Sequence, residues 1–314
     1  MRRKESGAIT AADLAALCGV SQGTVDRALH GRGEIRAETR ERILKVAAEY
    51  GYVPNVSARR LAGGKSGLVG VVVFDLRNEY FSELIMYLEE RFCAAGLLPV
   101  IMFSNKDPET ERSCIRKLCT MGVEGIVLMP IGEDPTFEKE LLDMKIPVVT
   151  VGNRLGDLPH IGIDDHLAMY ELCSHVMTEA HKRYVYYSPA LSHENENRYA
   201  QLQRHLGYLD AAHEKGITPE TVLKNAINVS EFDESTIVVA STDYYALRLV
   251  YGGLPVSRVT GFDNLGLLHS CRIPLVTVDG NSAAVADAVV AFFTDPNARG
   301  TSVNVPHRLI THKL

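Results

Sequence analysis

Apolar residues fall along this chain in two textures. Up to about residue 66 they recur at helical spacing; from Gly67 they come in short, near-continuous runs. In the first part Ala11, Leu14, Ala15 and Leu17 make one apolar stripe. Thr10 can cap that helix, and Asp13 stands three residues on, as a capping box requires. Gly19 ends it and Ser21 caps the next stretch, VSQGTVDRALHG at 20–31. Two short helices joined by a Cys-Gly-Val-Ser turn form a helix-turn-helix pattern. The spacing of Ile43, Leu44, Val46 and Ala47 predicts a third helix over 38–50, stopped by Gly51. Residues 55–66, NVSARRLAGGKS, are basic and glycine-ended, a linker with room for two helical turns.

Beyond Gly67 the runs GLVGVVVFDL, LLPVIMFS, GIVLMP, IPVVTVGN, RYVYYS, TIVVAS, SRVTGFD and IPLVTVDG read as buried strands. Helical patterns lie between them, at 81–94, 108–121, 135–143, 166–178, 199–214, 243–250 and 282–293. Apolar strands alternating with helices predict parallel sheets covered on both faces. The expected fold is therefore α/β: an all-α head, 1–54, a linker, 55–66, and a core, 67–314, of two doubly wound parallel-sheet lobes. The first lobe is expected over about 67–163 plus 280–302, the second over about 164–279 plus 303–314. Ligands in such folds sit beyond the carboxyl ends of the strands.

Charge sharpens this division. Residues 1–65 hold 12 Lys and Arg against 7 Asp and Glu, a surplus of +5. The chain totals of 33 and 39 leave 21 against 32 for the rest, or −11. A basic head on an acidic body points to a polyanion partner for the head alone. The 6 cysteines are scattered without metal-ligand spacing, which reads as reduced core cysteines and no metal site. No run of about 20 apolar residues suits a bilayer. The basic start, MRRKESGAIT, lacks the apolar stretch of a secretory signal, so a cytoplasmic, membrane-free protein is expected.

The stretch TAADLAALCGVSQGTVDRALHGRG, followed by ETRERILKVAAEYGYVPNVSARRLAGGKS, resembles the headpiece and hinge of the LacI/GalR (lactose-repressor) family. LVGVVVFDLRNEYFSEL, IPVVTVGNR, RHLGYLDAA and VTGFDN resemble its effector-binding core, which is similar to periplasmic sugar-binding proteins. The resemblance implies a DNA-binding transcription regulator, a homodimer, with a small ligand in the cleft between the lobes. No cofactor is implied. The chain ends in HRLITHKL without leucine heptads, which favours a dimer over a tetramer.

By that resemblance, the helix within 20–31 enters the major groove. Ser21 and Thr24 suit phosphates, Gln22 can pair with adenine, and Arg27 can grip guanine in a bidentate fashion. His30 is a further phosphate candidate. Val25, Ala28 and Leu29 face the core. Asp26 is a departure from the family's usual serine; it either accepts from cytosine N4 or pairs with a base such as His30. In the hinge, Leu61 stands where the family wedges a leucine into the minor groove, with Asn55, Ala58 and Arg59 beside it.

For the effector, NEYF resembles the family's Asn-Pro-[Phe/Tyr]-Phe loop, with Glu79 in place of proline, and offers Tyr80 and Phe81 for stacking. Arg204 matches the arginine that commonly holds the effector, and Arg198 is a second candidate. Asp263, Thr242 and Asn153 stand at strand ends, as do Arg154, Asp164 and Asp243; for Asp164 and Asp243 a capping or loop role is the better reading. Several arginines near one cleft suit a ligand rich in acceptors, so a sugar or sugar derivative is expected, with acidic sugars among the candidates. The segments 218–236 and 248–258 are short for the family. The rival class is an enzyme that works on a small polar ligand in the doubly wound core, but no catalytic residue set, metal cluster or phosphate-cradling loop stands out.

Overall fold

Three helices make the head: α1 (Ala11–Cys18), α2 (Gln22–His30) and α3 (Ala37–Glu49). The computed structural model describes residues 9–30, 35–52, 65–179, 182–189, 198–225 and 228–311. The expected capping box forms at α1. The Thr10 hydroxyl accepts the Asp13 N–H at 3.2 Å, and the Asp13 carboxylate accepts the Thr10 N–H at 3.1 Å. Gly19 ends the helix with φ 63°, a left-handed turn that costs glycine nothing. Leu14, Ala15, Cys18, Val25, Ala28, Ile43 and Ala47 form the small core. Three expected members are absent from it: Ala11 is half-buried, and Leu17 and Leu44 are 38% and 41% exposed. Leu14 and Cys18, like Ile43 and Ala47, stand one turn apart and share the inner face. Leu17 and Leu44 are rotated off it.

The remainder, from Gly67, is a separate compact unit. Its first lobe is built on β1 (Leu68–Val73), β2 (Leu98–Phe103), β3 (Ile126–Leu128), β4 (Val148–Val151) and β5 (His160–Gly162). Helices α4 (Glu79–Ala94), α5 (Pro108–Met121) and α6 (Pro135–Leu142) connect them. All pairings are parallel. Both faces of β1 are covered, so Val69, Val71, Val72 and Val73 are buried without alternation. Each connecting helix starts on a side chain that accepts a backbone N–H of its first turn, from Asn78, Asp107 and Asp134 in turn, and Pro108 and Pro135 occupy helix starts.

The second lobe holds α7 (Asp165–Val176), β6 (Arg183–Ser188), α8 (Tyr199–Glu214), β7 (Glu220–Leu223), β8 (Thr236–Ala240), α9 (Asp243–Tyr251), β9 (Val259–Thr260), α10 (Gly266–Ser270) and β10 (Thr277–Asp279). Its parallel sheet runs β7-β6-β8-β9. Asp164 caps α7 by accepting the Leu167 N–H at 3.0 Å, as expected of it. The chain then returns through α11 (Ser282–Thr294) and β11 (Val303–Asn304), and ends on β12 (Arg308–Ile310). β11 pairs with β5, so the first sheet reads β11-β5-β4-β3-β1-β2. This corrects the expected boundary at 303: the hydrogen bonds of Val303 and Asn304 belong to the first lobe. A second difference is that β12 pairs antiparallel with β10, because the chain re-enters the second lobe from the opposite direction. The lobes are thus joined by three crossings, after β5, β10 and β11. Among the described residues no helix is long and apolar enough to cross a membrane, and no group of His, Cys, Asp and Glu is placed to hold a metal ion.

Helices α7 and α8 pack so closely that Gly207 has no room for a side chain. A Cβ there would stand 2.2 Å from the His166 carbonyl oxygen and 2.9 Å from the Tyr170 nitrogen. Both obstacles are backbone, so no rotamer change relieves the clash. Gly207→Ala is expected to destabilise the core by about 1–3 kcal/mol or more, read as a lower midpoint in urea unfolding. An unchanged midpoint would show that the helices can separate at no cost.

Candidate functional site

In the head, α2 presents one polar edge. Ser21 caps the helix as expected: its Oγ accepts the Thr24 N–H at 3.2 Å and lies 2.9 Å from the Thr24 hydroxyl. Arg27 folds back along the same edge. Its Nε donates to the Gly23 carbonyl at 3.1 Å and its Nη2 to the Thr24 hydroxyl at 3.4 Å. Gln22, Asp26 and Arg27 are exposed, while Val25 and Ala28 face inward. The hinge candidates Asn55, Ala58, Arg59 and Leu61 and the His30 side chain lie outside the described residues.

In the core, the centre of the cleft is Arg204 on α8. Its Nε donates to Asp165 at 2.8 Å and its Nη1 to the Ser241 carbonyl at 2.9 Å and to Asp263 at 3.4 Å. Its guanidinium carbon lies 3.7 Å from the centre of the Phe262 ring, a stacked cation–π geometry. Burial works against its charge, but Asp165 and Asp263 outweigh that and hold it protonated above the ordinary range. Burial raises both carboxyls, with Arg204 pulling the other way, and Asp263 is pushed up to about 7. Asp263 has φ 112°, a conformation L-residues rarely adopt, which turns the chain at the end of β9. From the opposite lobe Asn78 donates to Asp263 at 3.4 Å. Tyr80 joins this cluster from α4: burial, then Asp263 and Asp165, raise its hydroxyl. Tyr80 also packs against Gly280, and Phe81 lies edge-on to Phe74 at 4.6 Å.

These are two separable devices, a helix-turn-helix head and a two-lobed body with a charged, aromatic-lined cleft. Residues 10–55 match the description "Bacterial regulatory proteins, lacI family", and residues 66–230 match "Periplasmic binding proteins and sugar binding domain of LacI family". The chain belongs to the LacI family. It is similar to catabolite control protein A of Priestia megaterium, at 25% identity over 96% of this chain and 97% of that one. The sucrose operon repressor of Pediococcus pentosaceus is also 25% identical, over 89% of each chain. The fold matches the lac repressor dimer bound to operator and the anti-inducer ONPF, with a TM-score of 0.79 at 21% identity, covering 98% and 99% of the two chains. As a LacI-family member the chain is a ligand-responsive, DNA-binding transcriptional regulator, and the enzyme alternative falls away.

The LacI-family motifs do not all meet in one place. Arg204, Asp263 and Tyr80 come together. Thr242 instead caps α9, with its hydroxyl accepting the Tyr245 N–H at 3.4 Å. Asp243, behind it, is buried and accepts from Thr277 at 2.6 Å and from the Leu265 N–H at 2.9 Å. Arg198 occupies the N-cap position of α8 and has no side-chain cap to offer. Asn153 supplies one from the other lobe: its Oδ1 accepts the Ala200 N–H at 3.1 Å. Arg154 beside it lies 5.1 Å from the Tyr199 ring centre. At α10, whose N-cap position Leu265 lacks a capping group, Glu79 reaches across and accepts the Leu267 N–H at 3.2 Å. Two second-lobe helices are therefore capped by first-lobe side chains. Sequence reasoning missed Asp165, Asn78 and Phe262. The Asp164–Asp165 pair was the available signal, since one aspartate suffices to cap a helix.

Two outcomes follow from this geometry. Glu79→Ala and Asn153→Ala remove the cross-cleft caps and are expected to open the lobes, read as a larger radius of gyration of the effector-free core in solution scattering; identical scattering from the double variant and the parent rules the caps out as closure contacts. The second concerns pH. The folded chain keeps the Asp263 proton up to about pH 7, whereas an aspartate at the ordinary value of 3.8 has lost it well before. Stability from this group is therefore present at low pH and lost as pH rises through about 7. Asp243, raised to about 6, acts with the same sign. Asp263→Asn should flatten the fall of melting temperature between about pH 5 and 8; a slope equal to that of the parent would place the titration elsewhere.

Proposed function

We propose that this regulator is a repressor that binds a pseudo-palindromic operator as a homodimer and takes a sugar or sugar derivative as effector in the inter-lobe cleft. The observation that carries the effector reading is the cluster of Arg204, Asp263, Asn78 and Tyr80, contributed by both lobes. Such a cluster offers donors, acceptors and an aromatic face together, as sugar hydroxyls and ring faces require. Ligand bound there makes contacts that exist only when the lobes are closed, so it shifts the open–closed balance. Coupling to operator affinity of about 1–3 kcal/mol is typical of such devices. The similarity to a sucrose operon repressor supports both the repressor and the sugar reading.

In the head, Gln22 and Arg27 are the proposed base readers, and Ser21, Thr24 and His30 the proposed phosphate contacts. Asn55, Ala58, Arg59 and Leu61 are the proposed hinge contacts, with Leu61 as the minor-groove wedge. The dimer reading rests on the first lobe. β2 is the free edge of its sheet, and Leu98 and Phe103 on it are exposed. Met86 on α4 is 72% exposed beside a groove of about 530 Å³ that Ile85, Tyr87 and Ile101 help to line. An apolar edge of this kind suits a second copy of the chain. A cytoplasmic location fits a partner that is chromosomal DNA.

Gel shifts on a selected operator test the reading. Arg27→Ala is expected to relax preference at one operator position by about 1–3 kcal/mol, whereas a uniform loss on all DNA would mark Arg27 as a phosphate contact. Leu61→Ala is expected to lose specific binding far more than nonspecific binding. Failure of the parent protein to shift any operator-length DNA at low salt, with or without sugars, defeats the proposal.

A further inference from the structure

Within the reading of a homodimer on an operator of two half-sites, on which this inference rests, we propose that Glu124 is a positioning residue for operator binding. Its carboxylate fixes the direction in which the linker to the DNA-binding head leaves the core. The core begins at Gly67, whose backbone is held on both sides. The Gly67 N–H donates to Glu124 Oε1 at 2.6 Å, and the Gly67 carbonyl accepts the Leu98 N–H at 2.7 Å. Glu124 stands between α5 and β3 and is itself pinned, since its N–H donates to the Leu68 carbonyl at 2.8 Å. Gly125 beside it accepts the Gly70 N–H at 2.9 Å. Ser66, the last residue before the core, is buried. The acceptor is therefore anchored to β1, and the donor is the pivot of the chain.

That pivot needs the bond. Gly67 adopts φ 72°, in the left-handed region, and glycine passes between this and other conformations at little cost. Rotation about its N–Cα bond swings the Ser66–Gly67 peptide and all of the chain before it. The Glu124 carboxylate removes this freedom, because the Gly67 N–H meets it in one orientation only. An ionised acceptor makes a shorter and stronger bond than a neutral one. The junction lies at the amino end of β1, while Phe74, just past the carboxyl end, packs on Phe81 of the cleft. Glu124 thus acts on DNA binding from the end of the sheet away from the effector. A small change of angle at Gly67 is magnified along the linker, residues 55–66. In a dimer two such exits set how far apart two heads stand, and half-sites on DNA recur at whole helical turns of about 34–36 Å. An exit held in one direction favours one half-site spacing, and a swivelling exit tolerates several.

The test is a set of gel shifts on the full-length protein. An operator is first selected from random-sequence DNA with the parent, and its half-sites are then moved apart or together by one and two base pairs. The parent is expected to prefer one spacing. In Glu124→Ala that preference should fall about tenfold or more, the worth of one charge-assisted hydrogen bond, with binding to unrelated DNA unchanged. Glu124→Gln keeps an acceptor for the Gly67 N–H and should restore most of the preference. Melting curves run in parallel separate this from loss of folding, since a structural role alone lowers the midpoint and weakens binding at all spacings together. If Glu124→Ala does not fold, Glu124→Asp takes its place, because the shorter side chain keeps the charge but draws the carboxylate back from Gly67. A folded variant with the spacing profile of the parent overturns the inference. So does Glu124→Gln as impaired as Glu124→Ala, and so does a parent that takes every spacing alike. If the parent shifts no operator-length DNA at low salt, the operator reading itself falls and the inference with it.

Discussion

A buried guanidinium gripped by two carboxylates is the constraint on which the core depends. Taking a guanidinium and the carboxyl groups that grip it out of water costs several kcal/mol for each ionised group unless it finds close partners. Arg204 meets that demand with Asp165, Asp263, a main-chain carbonyl and an aromatic face. Its partners come from separate places in the chain: the first residue of α7, the end of β8, and the turn after β9. Satisfying one side chain therefore fixes where three elements end. The unusual backbone at Asp263 follows from the same demand. Its carboxylate must reach both Arg204 on its own lobe and Asn78 on the other. Strain of about 1–3 kcal/mol at such a residue persists only where the surroundings over-determine it.

The same economy governs how the lobes meet. A helix needs partners for its first N–H groups, and α8 and α10 begin at residues that provide none from their side chains. Asn153 and Glu79 fill those vacancies from the facing lobe. An internal cap would have made each helix indifferent to closure. An external one ties each helix start to the facing lobe. Glu79 is informative because the related loop ordinarily carries proline, which has no side-chain acceptor. The substitution exchanges local rigidity for a contact between the lobes.

Much of this was legible in the sequence, and the failures have a pattern. The capping box of Thr10 and Asp13, the helix ends at Gly19 and Gly51, and the buried run Val69–Val73 all depend on neighbours within a few residues, where pattern reasoning is strong. Leu17 and Leu44 were misread because a stripe at helical spacing has an edge, and only tertiary packing decides which edge residue is covered. The strand Val303–Asn304 was misassigned because two residues carry no periodicity. Asp165 went unrecognised because its partner is 39 residues away and its own position already had a local explanation. Thr242 and Asn153 were recognised as strand-end polar residues, yet they cap helices here, a use that spacing cannot distinguish from ligand binding.

The head obeys the opposite logic to the cleft. Arg27 rests on its own helix, on the Gly23 carbonyl and the Thr24 hydroxyl. Both are neutral acceptors at an exposed edge, and a hydrogen bond of that kind is worth only about 0.5–1.5 kcal/mol net. A bidentate contact with guanine returns more than it displaces. Arg27 is thus held along its own helix, with less rotamer freedom than an unbonded side chain. One chain therefore uses arginine in two ways. In the core its charge is held inside the protein, by Asp165, Asp263 and the Ser241 carbonyl. In the head it is kept in reserve for a partner, where the surplus of basic residues can act on a polyanion.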